Sequence, residues 1–215
     1  MLIRNAAMTN ATPLRFDPAT TALVLIDLQQ GILPYAQAPY DGAAVLAKAA
    51  PLATAFRAAK SPVVLVKVGF SADGGDALKA IVDAPNPSGA PPAHWLADTP
   101  ELPPQPGDIH ILKRHWGAFH GTELDLQLRR RGIKTIVLAG IATAIGVEST
   151  ARLGWELGYD IVFVEDATSG PDAAMHANSF GKVFPRLGRV RKTADVLAAM
   201  ASARQPAPAA ARTPG

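Results

Sequence analysis

Short apolar runs recur along the chain, separated by longer stretches patterned for helices. Thr21–Ile26, Pro62–Val68, Asp108–Leu112, Thr135–Ala139 and Asp160–Val164 are such runs, and Gly188–Arg191 reads as a sixth. They are rich in Val and Ile and bounded by Gly, Pro or Asp. Continuous runs of this kind suit strands covered on both faces. Helical stretches lie between them, at about 42–59, 123–131, 147–157, from Pro171-Asp172 onward, and 194–200. Gly132 and Gly158 read as helix stops, Pro171 as an early helical position and Thr193 as a cap. Strand–helix alternation implies parallel strands, right-handed crossovers and helices on both faces of one sheet.

The length of 215 residues fits one domain. Residues 1–200 read as that domain. The Pro/Ala-rich stretch 201–215 reads as a disordered tail. The Pro-rich segment Asp83–Gly107 is too long for a plain connection and reads as a functional loop or a packed cover. With 48% hydrophobic and 18% charged residues the composition is globular. No apolar run approaches the roughly 18 residues a membrane span needs. The opening residues show no basic and then apolar leader, so the expected location is cytoplasmic. The net charge is +3. The one dense basic run, Arg129-Arg130-Arg131, follows a helical stretch and has no interleaved aromatics, so neither nucleic acid nor a membrane is an expected partner. The chain has no cysteine, which removes disulfides, thiolate metal sites and a cysteine nucleophile.

In parallel sheets, ligands sit beyond the carboxyl ends of strands, where the topology reverses. That rule selects Asp27, Lys113 and the segment Gly140–Gly146. Asp27 follows Leu25-Ile26, so burial would raise its pKa; it also fits a helix cap for a segment starting at Leu28. Lys113 follows Ile111-Leu112 and also fits a snorkelling or ion-paired lysine. Together they suggest an acid–base pair across neighbouring strand ends. The glycine-bounded segment leading into Val147–Arg152 offers backbone amides to an anion or an oxyanion, or is a plain tight turn. It is neither of the common nucleotide-binding glycine motifs, so no nucleotide cofactor is expected.

Leu25–Gln30, Lys113–Phe119 with Gly121-Thr122, and Gly140–Arg152 together resemble the isochorismatase-like, or cysteine hydrolase, superfamily. Glu165-Asp-Ala167 fits as well. The resemblance implies an α/β fold of the Rossmann-like kind: a three-layer α/β/α sandwich on a mostly parallel six-stranded sheet. It implies a small-molecule hydrolase and a homodimer or homotetramer. It matches Asp27 and Lys113 to the catalytic acid and lysine, puts a non-proline cis peptide at Ile141–Ala142, and puts the family's cysteine at Gly146.

Amide-cleaving members need that thiolate. Isochorismatases resemble this chain in having glycine there; they cleave a vinyl ether by protonating the enol carbon, and need no covalent nucleophile. The resemblance then makes Asp27 the general acid and Lys113 its orienting partner. Ala142, Thr143 and Gly146 would hold the substrate, with Trp116 and Phe119 as pocket walls. The runner-up reading is a family member that has lost turnover and binds a small ligand. His94, His110, His115, His120 and His176 form no metal-binding spacing, so no metal is expected. His110 reads as a sheet or core histidine and His176 as structural.

Overall fold

The computed structural model describes residues 13–84 and 91–203. Its strands are β1 (Thr21–Ile26), β2 (Val63–Val68), β3 (Ile109–Lys113), β4 (Thr135–Ile141), β5 (Asp160–Ser169) and β6 (Gly188–Arg191). They form one six-stranded sheet in the order β3-β2-β1-β4-β5-β6, every pairing parallel. The helices are α1 (Gly42–Ala58), α2 (Leu124–Arg130), α3 (Glu148–Glu156), α4 (Ala173–Asn178), α5 (Phe184–Leu187) and α6 (Thr193–Ala203). A π-turn, Thr143–Val147, leads into α3, and a second, Ser179–Val183, joins α4 to α5.

The central strands are apolar throughout because alternate residues feed two cores. Leu23, Leu25, Val137, Ala139, Val162 and Val164 face α1 and α6, against Leu52, Phe56 and Met200. Val24, Ile26, Ile136, Leu138, Ile161 and Phe163 face the other layer, against Leu128, Ala151 and Phe184. Each buried side chain of this size contributes roughly 1.5–3 kcal/mol, so both helical layers are held by the same strands. The result is the expected α/β/α sandwich.

Three local expectations are corrected. Asp172 caps α4, accepting from the Met175 amide at 2.7 Å, so Pro171 lies before the cap and not inside the helix. Thr193 is the first residue of α6, and its hydroxyl donates to Asp166 Oδ1 at 2.9 Å; Asp195 Oδ2 instead receives the Lys192 amide at 3.0 Å. α6 continues to Ala203, three residues past the boundary read at 200, because Ala201–Ala203 extend a good helix former. Residues 204–215 of the expected tail lie outside the described residues.

The Pro-rich segment acts as a cover over the carboxyl ends of β1 and β2; its residues 85–90 lie outside the described ones. Leu102 and Thr99 are buried, and Asp98 bridges to Gln29. The Trp95 indole donates to Val68 O at 2.8 Å. Gln29 is fully buried beneath it. Its amide donates to Val68 O and Trp95 O, and its oxygen accepts the Val68 amide. No helix among the described residues is long and apolar enough to cross a membrane.

Candidate active site

The strand order reverses between β1 and β4, and the chemistry sits at their carboxyl ends. Asp27 follows β1 directly. It adopts φ +53°, a conformation a non-glycine residue takes at a cost of order 1 kcal/mol, so it caps no helix at Leu28. Its amide donates to Val66 O at 2.9 Å, which fixes the backbone against β2.

Lys113 ends β3. β2 lies between β3 and β1, so the two strand ends are not neighbours as expected. Two strand spacings are about 10 Å, and only a long side chain closes that gap. Lys113 spans it and donates to Asp27 Oδ2 at 2.7 Å, with a second bond to His115 O at 3.1 Å. Asp27 is 5% exposed and Lys113 2%. The ion pair is therefore almost wholly desolvated.

The two Asp27 oxygens differ. Oδ2 takes Lys113, whereas Oδ1 is buried with no hydrogen-bond partner among the described residues. Burial pushes the Asp27 pKa up to about 6, and the neighbouring Lys113 ammonium opposes the rise. The carboxyl thus combines a raised pKa with one oxygen that no described residue holds.

The third piece is the turn after β4. Gly140 has φ +124°, and a Cβ there would fall 2.1 Å from Ile26 O, so glycine is required for β4 to lie against the end of β1. The Ile141–Ala142 peptide is cis. The π-turn then begins at Thr143, and Ala142 O accepts from the Ile145 and Val147 amides. The first amides of such a turn have no intrahelical acceptor. Gly146 is beside the carboxyl: a Cβ there would lie 3.3 Å from Asp27 Oδ2 and 3.1 Å from Ile26 Cγ2. Thr150 braces this wall, donating to Gly146 O at 2.7 Å and accepting the Ala118 amide at 3.0 Å.

Not every residue expected here is present. Phe119 is a core residue and not a pocket wall. It is 5% exposed, stacks on Tyr159 with ring centroids 5.6 Å apart, and lies under Gly154. Trp116 is 62% exposed on the loop that follows Lys113. Thr143 is 1% exposed and its hydroxyl pairs with His176 Nδ1 at 2.8 Å, so what it can offer a ligand is backbone. His110 is exposed on edge strand β3, not in the core. Among the described residues no group of His, Asp and Glu is arranged to hold a metal ion.

Arg114 escaped the sequence reading. Its Nε is held by Asp76, while Nη1 is buried without a partner among the described residues. Its position directly after Lys113 is the only signal for it in the sequence.

The isochorismatase domain model matches residues 21–195. The uncharacterized isochorismatase family protein YecD of Escherichia coli O157:H7 is 52% identical over 187 residues, covering 87% of this chain and all of YecD. The ureidoacrylate amidohydrolase RutB of Caulobacter vibrioides is 35% identical, covering 85% of this chain and 92% of RutB. A solved isochorismatase family protein from Burkholderia thailandensis superposes with a TM-score of 0.84 at 47% identity. It covers 88% of this chain and 100% of that one. On this evidence the chain belongs to the isochorismatase family of hydrolases, as a member that carries no cysteine.

Proposed function

We propose that this hydrolase cleaves a small enol ether of the isochorismate type without a covalent intermediate, with Asp27 as general acid. The observation that carries the reading is the carboxyl itself: a buried, unpartnered Oδ1 on a group whose pKa lies near 6. About a tenth of such a group is protonated at pH 7, enough for a general acid. Lys113 keeps burial from making that acid too weak.

In this scheme the Asp27 proton goes to the terminal enol carbon, and the double-bond electrons form the new C–H bond. The ether carbon becomes an oxocarbenium ion facing the new carboxylate. Water adds to that carbon and returns a proton to Asp27. The hemiketal then breaks its other C–O bond, and the hydroxyl proton leaves with the departing alcohol. One water is consumed and Asp27 is regenerated. With isochorismate the products are pyruvate and a dihydroxycyclohexadiene carboxylate.

The backbone of Ala142, Thr143 and Gly146 is the cradle for the polar end of the substrate. Arg114 is the cation we assign to a substrate carboxylate, and Trp116 the rim. Amide hydrolysis of the sort the name RutB describes proceeds most simply through an attacking side chain, and Gly146 has none. The Thr150 hydroxyl is occupied by Gly146 O. We further propose a homodimer or homotetramer, supported by the exposed apolar run Leu78, Ile81 and Val82.

The test is pyruvate release from isochorismate by the purified protein, with Asp27→Ala beside it. The expected result is release that falls roughly 100- to 10,000-fold in the variant. Release that survives the substitution overturns the acid role. No release, with the ligand still raising the melting temperature, favours a binding protein.

A further inference from the structure

Behind the π-turn lies a second polar chain that the reaction scheme does not use. Thr143 Oγ1 meets His176 Nδ1 at 2.8 Å, and His176 Nε2 meets Glu165 Oε1 at 3.4 Å. Glu165 is itself held by the Tyr40 hydroxyl at 3.1 and 3.2 Å and by the Lys192 ammonium. The chain joins β5, α4, the residue after β6 and the loop before α1 to the first residue of the turn.

The proton directions follow from chemistry. Burial holds the His176 pKa below its usual value, so the ring is neutral at pH 7. The Glu165 carboxylate can only accept, so Nε2 carries the ring hydrogen and Nδ1 is the acceptor. Thr143 therefore donates to Nδ1. This fixes the side chain of the residue three before Gly146.

Packing does not explain the choice of residues. His176 is 4% exposed, with Phe180 4.5 Å away ring to ring. An apolar side chain would fill such a site without the cost of burying an imidazole and a hydroxyl. What the polar pair adds is direction. From the other side, Gly170 closes on the turn: a Cβ there would lie 3.5 Å from Ala142 Cβ and Thr143 N.

We infer that His176 is a positioning residue: acting through the Thr143 hydroxyl and anchored by Glu165, it sets the backbone of residues 142–146, whose Gly146 lies beside Asp27. The inference takes its functional consequence from the enol-ether reading above, but its structural part stands apart from that reading.

The variants are His176→Phe, which keeps a ring and loses both nitrogens, His176→Asn, which keeps an acceptor near Nδ1, and Thr143→Val. Steady-state kinetics on isochorismate should show kcat lower by about 10- to 100-fold in His176→Phe and Thr143→Val, with KM changed less than about threefold. The double variant should be no worse than either single, and His176→Asn should recover most of the loss. Amide spectra of the same proteins, recorded without substrate, should show the Gly146 resonance displaced in His176→Phe and Thr143→Val and near native in His176→Asn. If the wild type does not turn isochorismate over, the functional reading fails while the spectra still decide the positioning. Should His176→Phe not fold, Thr143→Val carries both readouts. An unmoved Gly146 amide, an unchanged kcat, or additive losses in the double variant overturns the inference.

Discussion

Gly146 stands where any side chain would crowd the acid. A Cβ would come within 3.3 Å of Asp27 Oδ2 and 3.1 Å of Ile26 Cγ2, closer than comfortable contact. Gly146→Ala is expected to cost about 1–3 kcal/mol in urea unfolding and to slow turnover, because Asp27 must shift to admit the methyl group. Lys113→Met removes the charge that opposes the rise in the Asp27 pKa. Its pH–rate profile should have its descending limb at higher pH than wild type, at a rate lower by orders of magnitude. A limb left in place removes Lys113 from the site. Asp27 and Lys113 were legible in the sequence because each ends a buried strand, where a charge has no reason to be unless it is paired or used. Phe119 was misread because an aromatic beside a site motif looks the same in one dimension whether it faces the pocket or the core. The Thr143–His176 pair was not legible at all, and Arg114 only through its place directly after Lys113. Burial of one Nη1 atom, and contact across 33 residues, exist only once the chain is folded.

The cover over β1 and β2 is tied down from beneath by Gln29, alongside the Trp95 indole and the Lys67–Asp98 ion pair. Gln29 makes three buried hydrogen bonds, to Val68 N, Val68 O and Trp95 O. Gln29→Ala leaves the Val68 amide without its partner, and an unsatisfied buried group costs roughly 1–3 kcal/mol. Urea unfolding should show a loss of that size or more, with earlier proteolytic cleavage in the cover segment. A loss under about 0.5 kcal/mol would mean that the cover is held elsewhere. Element positions were legible because the apolar runs are short, β-branched and bounded by breakers. Their ends were less so. β5 runs on to Ser169, well past the apolar stretch, because its polar second half still pairs with β4 after a register shift between Leu138 and Gly140. Proline and threonine near the starts of α4 and α6 competed with Asp172 and Asp195 as start signals, and the carboxylates prevailed.

Across the whole molecule, the layered sandwich follows from alternation alone, but the strand order does not. Nothing in periodicity says that β2 separates β3 from β1, and so that only a long side chain could reach Asp27. A folded pKa near 6 against an ordinary 3.8 means that the native state binds the Asp27 proton more tightly than the unfolded chain does. Its contribution is most favourable below the unfolded value, and about 3 kcal/mol is lost as pH rises through the window between the two. Asp27→Asn should remove that share of the pH dependence, read as the difference between the urea midpoints of the two proteins at acid and neutral pH. The same titration supplies the most direct test of the acid role: kcat/KM for pyruvate release from isochorismate as a function of pH. An acid with a pKa of about 6 predicts a plateau below that pH and a fall of about tenfold per unit above it. A rate that instead climbs through pH 6 would mean that Asp27 works as a base, and would contradict the account.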